Sequence, residues 1–193
     1  MAGDDPGWHI SWSSALWLLV PGVGIRRLGS SRHGAADGLV LLRQVFLSFC
    51  LAIVLFGVVL AFQYADAQPM SDPSTGIAAG LLVVAASGIL IEPLVERPLP
   101  CTDDRGLAGS YRARFFLRMA FAESAALFGF VGFFLTYAWW PYPIGAMMAA
   151  LGFARAAPSR RNLERDQDDL VDRQCARSLV GALRLAPPDA PTT

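Results

Sequence analysis

The sequence has no lysine. All 16 of its basic residues are arginine, and 16 acidic residues balance them to a formal net charge of zero. Charged residues make up only 17% of the chain and hydrophobic residues 54%, whereas ordinary globular chains are about 25% charged. A chain this apolar and without net charge would associate and precipitate in water. The shortage of charge therefore favours a bilayer as the solvent, and it argues against a disordered chain or a basic nucleic-acid-binding protein.

Cysteine and histidine are also scarce. The three cysteines, Cys50, Cys101 and Cys175, are odd in number, so no disulfide framework can be read from them. The only histidines are His9 and His33, and the CxxC, HExxH, P-loop and GxSxG motifs are missing. We therefore expect neither zinc chemistry nor histidine-based catalysis, and neither an enzyme nor a cofactor-binding protein.

Apolar runs are what the sequence has in abundance. A membrane helix needs roughly 20 predominantly apolar residues, and four runs approach or reach that length, at residues 45–62, 77–95, 115–137 and 139–154. The fourth run is short and depends on aromatic residues at its start. The sequence thus predicts an all-α fold, with a four-span transmembrane helix bundle in residues 37–157.

The arginines indicate the orientation of these spans, because positively charged loops stay in the cytoplasm. Four arginines precede or open the first span, five lie between the second span and the start of the third, and seven follow the fourth. The two remaining loops have no arginine. Four spans with both termini in the cytoplasm satisfy this distribution. Aromatic residues of an interfacial belt lie in the opposite loop, namely Tyr137, Trp139, Trp140 and Tyr142.

Both ends of the chain are predicted to lie on the cytoplasmic side. Within an N-terminal segment of residues 1–36, residues 7–25 either form a short helix in the membrane interface or pack under the bundle. Residues 158–193 form a tail with one helix, from about residue 162 to residue 185, whose acidic run at 166–169 is expected to be solvated. The arginine-rich segments are expected to contact anionic lipid headgroups, and no nucleic-acid partner is expected.

Two carboxylates fall within the predicted spans, where ionisable side chains are costly and mark functional sites. Glu123 lies well inside the third span, and Glu92 lies near the cytoplasmic end of the second. We expect Glu123 either to bind a proton or cation, with Glu92 as a second candidate, or to be a protonated carboxyl that stabilises helix packing. Polar residues that could serve as intramembrane partners are Arg43, Gln44, Arg118, Ser48, Ser87 and Ser124.

Two local patterns add to this expectation. Glu92 and the arginines nearest the cytoplasmic face, Arg43 and Arg118, are predicted to form a polar cluster with Gln44 just inside the headgroups. Small residues recur at a spacing of four, beginning with a GxxxG pair at Gly76 and Gly80, and such spacing allows helices to approach closely.

The second and third spans, with the loop between them, resemble the hairpin of the proteolipid c subunit of rotary ATP synthases, over residues 76–141. The residues that carry the resemblance are Ala120, Phe121, Glu123, Gly129 and Pro141. The resemblance implies that Glu123 is the proton-carrying carboxylate and that the loop is cytoplasmic. This sequence departs from the family in having no dense GxGxG repeat in the second span, and in having two further spans.

These observations predict a small multi-pass membrane protein that handles protons or cations through Glu123. The competing expectation is a non-catalytic structural or accessory subunit of a membrane or envelope complex, in a homo- or hetero-oligomer. The lysine-free, alanine- and arginine-rich composition is typical of a high-G+C bacterium, which places the protein in the bacterial plasma membrane.

Overall fold

The computed structural model describes residues 38–66 and 75–185, and its regular structure there is entirely helical. The six helices are α1 (Gly38–Asp66), α2 (Thr75–Val95), α3 (Asp104–Thr136), α4 (Pro141–Ala156), α5 (Arg160–Asp172) and α6 (Leu179–Leu185). The predicted all-α fold is confirmed. The predicted interfacial segment at residues 1–36 lies outside the described residues.

Among the described residues, three helices are long and apolar enough to cross a membrane. They are α1 over Leu41–Ala65, α2 over its whole length and α3 over its whole length. All three begin before the predicted spans: α1 begins at Gly38, α2 at Thr75 and α3 at Asp104. The fourth predicted span corresponds to α4, which has 16 residues and is therefore about 24 Å long.

The contacts within the chain divide it into two compact units. Of the described residues, the first comprises 49–66, 75–99 and 110–157, and we call it the bundle unit. The second comprises 38–48, 100–109 and 158–185, and we call it the disulfide unit.

The helices of the bundle unit alternate in direction. Gly88 of α2 faces Phe121 of α3, and Ala78 of α2 lies near Gly132, so the two helices are antiparallel. Helices α3 and α4 are antiparallel for the same reason, since Gly129 meets Pro141 and Gly145 meets Ala125.

Helix α1 packs against α3 and α4. Its Phe49 ring contacts Phe153 of α4, and the hydroxyl of Tyr142 donates a hydrogen bond to the carbonyl oxygen of Ile53. Farther along α1, Phe56 contacts Phe130 of α3. Residue numbers thus run in opposite directions between α1 and α4, and the bundle unit is an up-down-up-down arrangement of four helices.

Small side chains form one buried cluster in the bundle unit. The cluster consists of Ala85, Ala125, Ala126 and Ala149, which come from three helices, and Ile53 of α1 packs against it. Larger side chains of the unit, such as Phe133, are buried as well. Lipid tails are as apolar as leucine, so helices in a bilayer gain stability from close packing rather than from burying large side chains. An alanine cluster is what that rule favours.

The closest helix contacts involve glycines of α3 and α4. A Cβ atom at Gly145 would overlap the carbonyl oxygen of Ala125, and one at Gly129 would lie 2.6 Å from the carbonyl oxygen of Pro141. By contrast, a Cβ atom at Gly76 or Gly80 would meet no atom within 4 Å. The close approach predicted for small residues therefore occurs between α3 and α4, whereas the GxxxG pair of α2 faces outward.

Large apolar side chains cover the outside of the bundle unit. The most exposed include Leu94 (84%), Leu90 (75%) and Phe62 (73%). A soluble protein rarely exposes a contiguous apolar surface of this kind, which marks contact with lipid or with another protein.

The disulfide unit buries leucines instead. Helix α5 begins after Ser159, whose hydroxyl caps the helix by accepting a hydrogen bond from the main-chain nitrogen of Asn162. Along its inner face lie Leu163, Asp166 and Leu170, all buried. The acidic run at 166–169 was predicted to be solvated. Asp168 and Asp169 are exposed, but Asp166 is only 1% exposed.

The helix predicted over residues 162–185 is interrupted. Helix α5 ends at Asp172, and Gln174 then adopts a positive φ of 60°. The main-chain nitrogens of Gln174 and Cys175 donate to the carbonyl oxygens of Val171 and Leu170, which is the Schellman pattern of helix termination. Helix α6 follows at Leu179, and the predicted single helix was wrong because it overlooked this ending.

A disulfide bond joins Cys101 to Cys175, whose Cα atoms are 5.9 Å apart. The odd count of three, from which no framework could be read, reflects this bonded pair and a free thiol at Cys50. Beside the bond, the guanidinium of Arg177 lies 2.7 Å from the carboxylate of Asp104 and 2.9 Å from the carbonyl oxygen of Thr102. Three links therefore fasten residues 175–177 to residues 101–104.

Candidate functional site

Glu123 lies on the outward stripe of α3. Residues that share this stripe are Phe116, Ala120, Leu127, Val131 and Phe134, all exposed, and their spacing of three or four residues keeps them on one helix face. The adjoining side of the helix, which includes Met119, Ala122 and Ala126, is buried in the bundle unit. Glu123 is thus a half-buried carboxyl at the edge of an apolar outer surface.

The depth of Glu123 follows from its position in α3. It lies five residues beyond Arg118 and thirteen before the end of the helix at Thr136, which correspond to about 7.5 Å and 20 Å along the helix axis. Within the part of the chain that the structure describes, the carboxylate has no hydrogen bond and no ion pair. Glu123 therefore lies in the interior of a candidate membrane span without a polar partner in those residues.

The three serines considered as partners hydrogen-bond their own helices. The hydroxyl of Ser124 donates to the carbonyl oxygen of Phe121, that of Ser87 to Val84, and that of Ser48 to Gln44. Such bonds satisfy a serine inside a helix without a second helix. The structure brings none of these hydroxyl donors to the Glu123 carboxylate.

Glu92 belongs to a second polar group, which we call the charge cluster and define as Glu92, Glu96, Arg114 and Arg118. Arg118 donates to both oxygens of Glu96, with a distance of 3.0 Å from its terminal nitrogen, and its Nε lies 3.5 Å from Glu92. Arg114 donates to Glu96 from Nε at 2.7 Å. Glu96 is therefore the centre of the cluster and binds both arginines.

The sequence positions these four side chains by helix register. Glu92 and Glu96 are four residues apart, as are Arg114 and Arg118, so each pair lies on one helix face. Because α2 and α3 are antiparallel, Glu92 comes level with Arg118 and Glu96 with Arg114. The expected contact of Glu92 with Arg118 is present, but Glu96 and Arg114 fall just outside the predicted spans. The equal spacing of the two glutamates and of the two arginines was the sequence signal for this cluster.

The pKa of Glu96 reflects this environment. Burial raises the pKa of a carboxyl, but hydrogen bonds from Arg118 and Arg114 and the charges of both guanidinium groups outweigh burial and lower the pKa to about 2. The side chain of Glu96 is only 9% exposed. Glu96 is consequently ionised at neutral pH and functions as a fixed counter-ion.

Arg43 and Gln44 both belong to the disulfide unit. The Arg43 side chain is 4% exposed, and its Nε lies 3.5 Å from the carbonyl oxygen of Pro158 in the disulfide unit. Gln44 contributes its main-chain carbonyl to Ser48. Of the expected cluster, the structure thus brings Glu92 and Arg118 together and positions Arg43 against Pro158.

No family model, curated protein or solved structure matches this chain.

Proposed function

We propose that this protein crosses a bacterial plasma membrane four times, with its arginine-rich loops and both termini in the cytoplasm. Three candidate spans and the apolar outer surface of the bundle unit support membrane insertion. The antiparallel register of α3 and α4 supports a fourth span, because it carries α4 from the Thr136 end of α3 back to the level of the charge cluster. Arg155, at the end of α4, adds its positive charge there.

We propose further that Glu123 takes up and releases a proton within the membrane. The observation that carries this proposal is its position, on the outward stripe of α3 at intramembrane depth and without a polar partner among the described residues. A carboxyl in hydrocarbon is stable only when it is protonated or paired. A single carboxyl is sufficient to carry a proton, whereas a cation such as calcium takes six or more oxygen ligands.

The resemblance of residues 76–141 to the proteolipid c subunit supports the same carboxylate. In contrast, Glu92 is paired with Arg118 in the charge cluster, where its Oε1 lies 3.5 Å from the Arg118 Nε. We therefore assign proton handling to Glu123 and a structural role to the charge cluster.

The test uses the purified protein in proteoliposomes and a lipid-soluble carbodiimide, which modifies protonated carboxyls in apolar surroundings. We expect labelling of Glu123, and we expect Glu123→Gln to lose the label and to reduce proton flux at least tenfold while the helix content is unchanged. Glu92→Gln is the matched control and retains both the label and the flux. Flux that is equal in the wild type and in Glu123→Gln would exclude this function.

A second candidate function is that of a structural or accessory subunit. It is favoured by the outward stripe of α3, which presents a carboxyl among apolar side chains to a neighbouring protein, and by the charged outer face of α5, which includes the exposed Arg161, Glu164 and Asp168. In this function Glu123 would hydrogen-bond a neighbouring transmembrane helix, either of a second copy or of another protein. The arginine-rich cytoplasmic segments would bind anionic lipid headgroups.

Photo-crosslinking from position 127 or 131 separates the two functions. A subunit gives one discrete crosslinked product in native membranes, loses it in Glu123→Gln, and shows no proton flux. A proton carrier shows flux in purified form whether or not a crosslinked product appears.

A further inference from the structure

The disulfide bond joins two segments that the proposed orientation places in the cytoplasm. Cys101 lies between α2 and α3, and Cys175 lies between α5 and α6, 74 residues later in the chain. Both segments are on the arginine-rich side. The cytosol keeps thiols reduced, and the disulfides that do form there are usually transient, catalytic or redox-sensing. A bond at this position therefore indicates exchange rather than permanent stapling.

The two bonded cysteines differ in exposure. Cys101 is exposed, whereas Cys175 is 3% exposed. An incoming thiolate therefore reaches the Cys101 side of the bond, and Cys175 is the sulfur that leaves. Exchange of this kind depends on which sulfur is accessible as well as on the reactivity of the attacking thiol.

Contacts that survive reduction keep the two segments together. Arg177 binds the carboxylate of Asp104 and the carbonyl oxygen of Thr102. The side-chain amide of Gln167 donates to the carbonyl oxygen of Arg177 and accepts from the main-chain nitrogen of Leu179. Groups held in proximity react with each other at a high effective concentration. The opened pair is consequently positioned to close again, as a reversible exchange site requires.

We propose that Cys101 and Cys175 form a thiol-disulfide exchange site for a cytosolic dithiol oxidoreductase. A thiolate of that partner attacks Sγ of Cys101, the bond to Cys175 breaks, and Cys175 leaves as a thiolate that takes up a proton. The second thiolate of the partner then attacks the mixed disulfide, releases Cys101 and leaves the partner oxidised. Two electrons pass to this chain, and residues 173–178 lose their covalent tie to residues 101–104. The proposal rests on the orientation proposed above.

The experiment uses the whole chain with the substitution Cys50→Ala, so that Cys101 and Cys175 are its remaining cysteines. Inside-out and right-side-out membrane vesicles are treated with oxidised glutathione to close the bond, washed, and exposed to a membrane-impermeant dithiol protein of the thioredoxin type with its reductase and NADPH. A maleimide mass tag then counts the free thiols. Protease digestion of a C-terminal tag in the same vesicles reports the orientation independently. An additional Cys101→Ser change provides the control, since that chain cannot close the bond.

We expect two thiols to appear at least tenfold faster in inside-out vesicles, and Arg177→Gln to slow closure of the bond by glutathione several-fold. A bond that resists the dithiol protein in both vesicle types but opens after unfolding in detergent would overturn the proposal, while the tag still reports the orientation. If the bond is reduced only in right-side-out vesicles, and the tag is digested only there, the proposed orientation is wrong. The proposal of a cytosolic partner then fails with it.

Discussion

The bundle unit and the disulfide unit differ in what they expose and in how closely their helices approach. The bundle unit buries alanines and glycines at its closest helix contacts, together with larger side chains such as Met119 and Phe133, and it exposes leucines, valines and phenylalanines. The disulfide unit buries leucines, among them Leu163, Leu170 and Leu183, and exposes charged residues of α5. The difference follows from the solvent. Burying a large apolar side chain stabilises a fold in water. In lipid such burial contributes little, and the stability of a helix bundle depends mainly on how closely its helices pack. The two units should therefore fail under opposite kinds of substitution.

Enlarging a buried glycine of the bundle unit should have the largest effect. In Gly145→Leu the new side chain would collide with the main chain of Ala125, which cannot move aside, so we expect a loss of about 3 kcal/mol or more in the free energy of unfolding. Unfolding in mixed micelles measures this loss. Gly80→Leu is the matched control, because Gly80 faces open space, and equal losses in the two variants would refute the packing assigned here.

The charge cluster should come next. Glu96→Gln leaves Arg114 and Arg118 without their shared carboxylate, and we expect it to destabilise the bundle by about 3 kcal/mol. The lowered pKa of Glu96 also predicts that the stability depends on pH. Ionised Glu96 stabilises the bundle fully above pH 4.5, the ordinary pKa of a glutamate, and this stabilisation is lost as the pH falls toward its lowered pKa of about 2. Unfolding curves of the wild type between pH 7 and pH 2 should converge on those of Glu96→Gln. Parallel curves would mean that Glu96 is not the titrating group.

Truncation of a buried leucine should affect the disulfide unit alone. Leu170 is 1% exposed, and Leu170→Ala should cost the disulfide unit roughly 2 kcal/mol, toward the lower end for such substitutions. Hydrogen exchange of the amides of α5 measures this local loss. Faster exchange in α2 to the same degree as in α5 would show that the units do not respond separately.

Truncation on the outside of the bundle unit should have the smallest effect. Leu90 is 75% exposed, and its contacts with lipid are replaced by similar contacts when it becomes alanine. We expect Leu90→Ala to change the stability in micelles by less than about 0.5 kcal/mol. A loss comparable with that of Leu170→Ala would indicate that this face is covered by protein rather than by lipid.

Hydropathy alone predicted the helical class and the approximate positions of α1 to α4, because the cost of exposing main-chain polar groups to lipid leaves helices as the simplest way to cross it. It could not predict their ends. Helix α3 begins at Asp104, eleven residues before the apolar run. Its first residues belong to the disulfide unit, where Leu107 and Ala108 are buried on one side of an otherwise polar helix. Such an amphipathic segment does not stand out by its hydropathy.

The parts that escaped prediction depend on pairs of residues far apart in the chain. Glu96 and Arg114 have ordinary loop positions in the sequence, and only the antiparallel register of α2 and α3 makes them neighbours. Cys101 and Cys175 are likewise joined by folding over 74 residues. Glu123 could be singled out because a lone carboxyl in an apolar run is conspicuous, but its outward direction depends on which face of α3 packs against α4.

The depth of Glu123 has an electrical consequence. Counted from Phe115 to Thr136, the carboxyl lies about two fifths of the way across the apolar part of α3. A charge that crosses a whole membrane gains or loses about 2.3 kcal/mol per 100 mV, so a proton that reaches Glu123 from the arginine-rich side crosses only part of this potential, or about 1 kcal/mol per 100 mV. Occupancy of the carboxyl would accordingly vary with membrane voltage as well as with pH, about fivefold for each 100 mV.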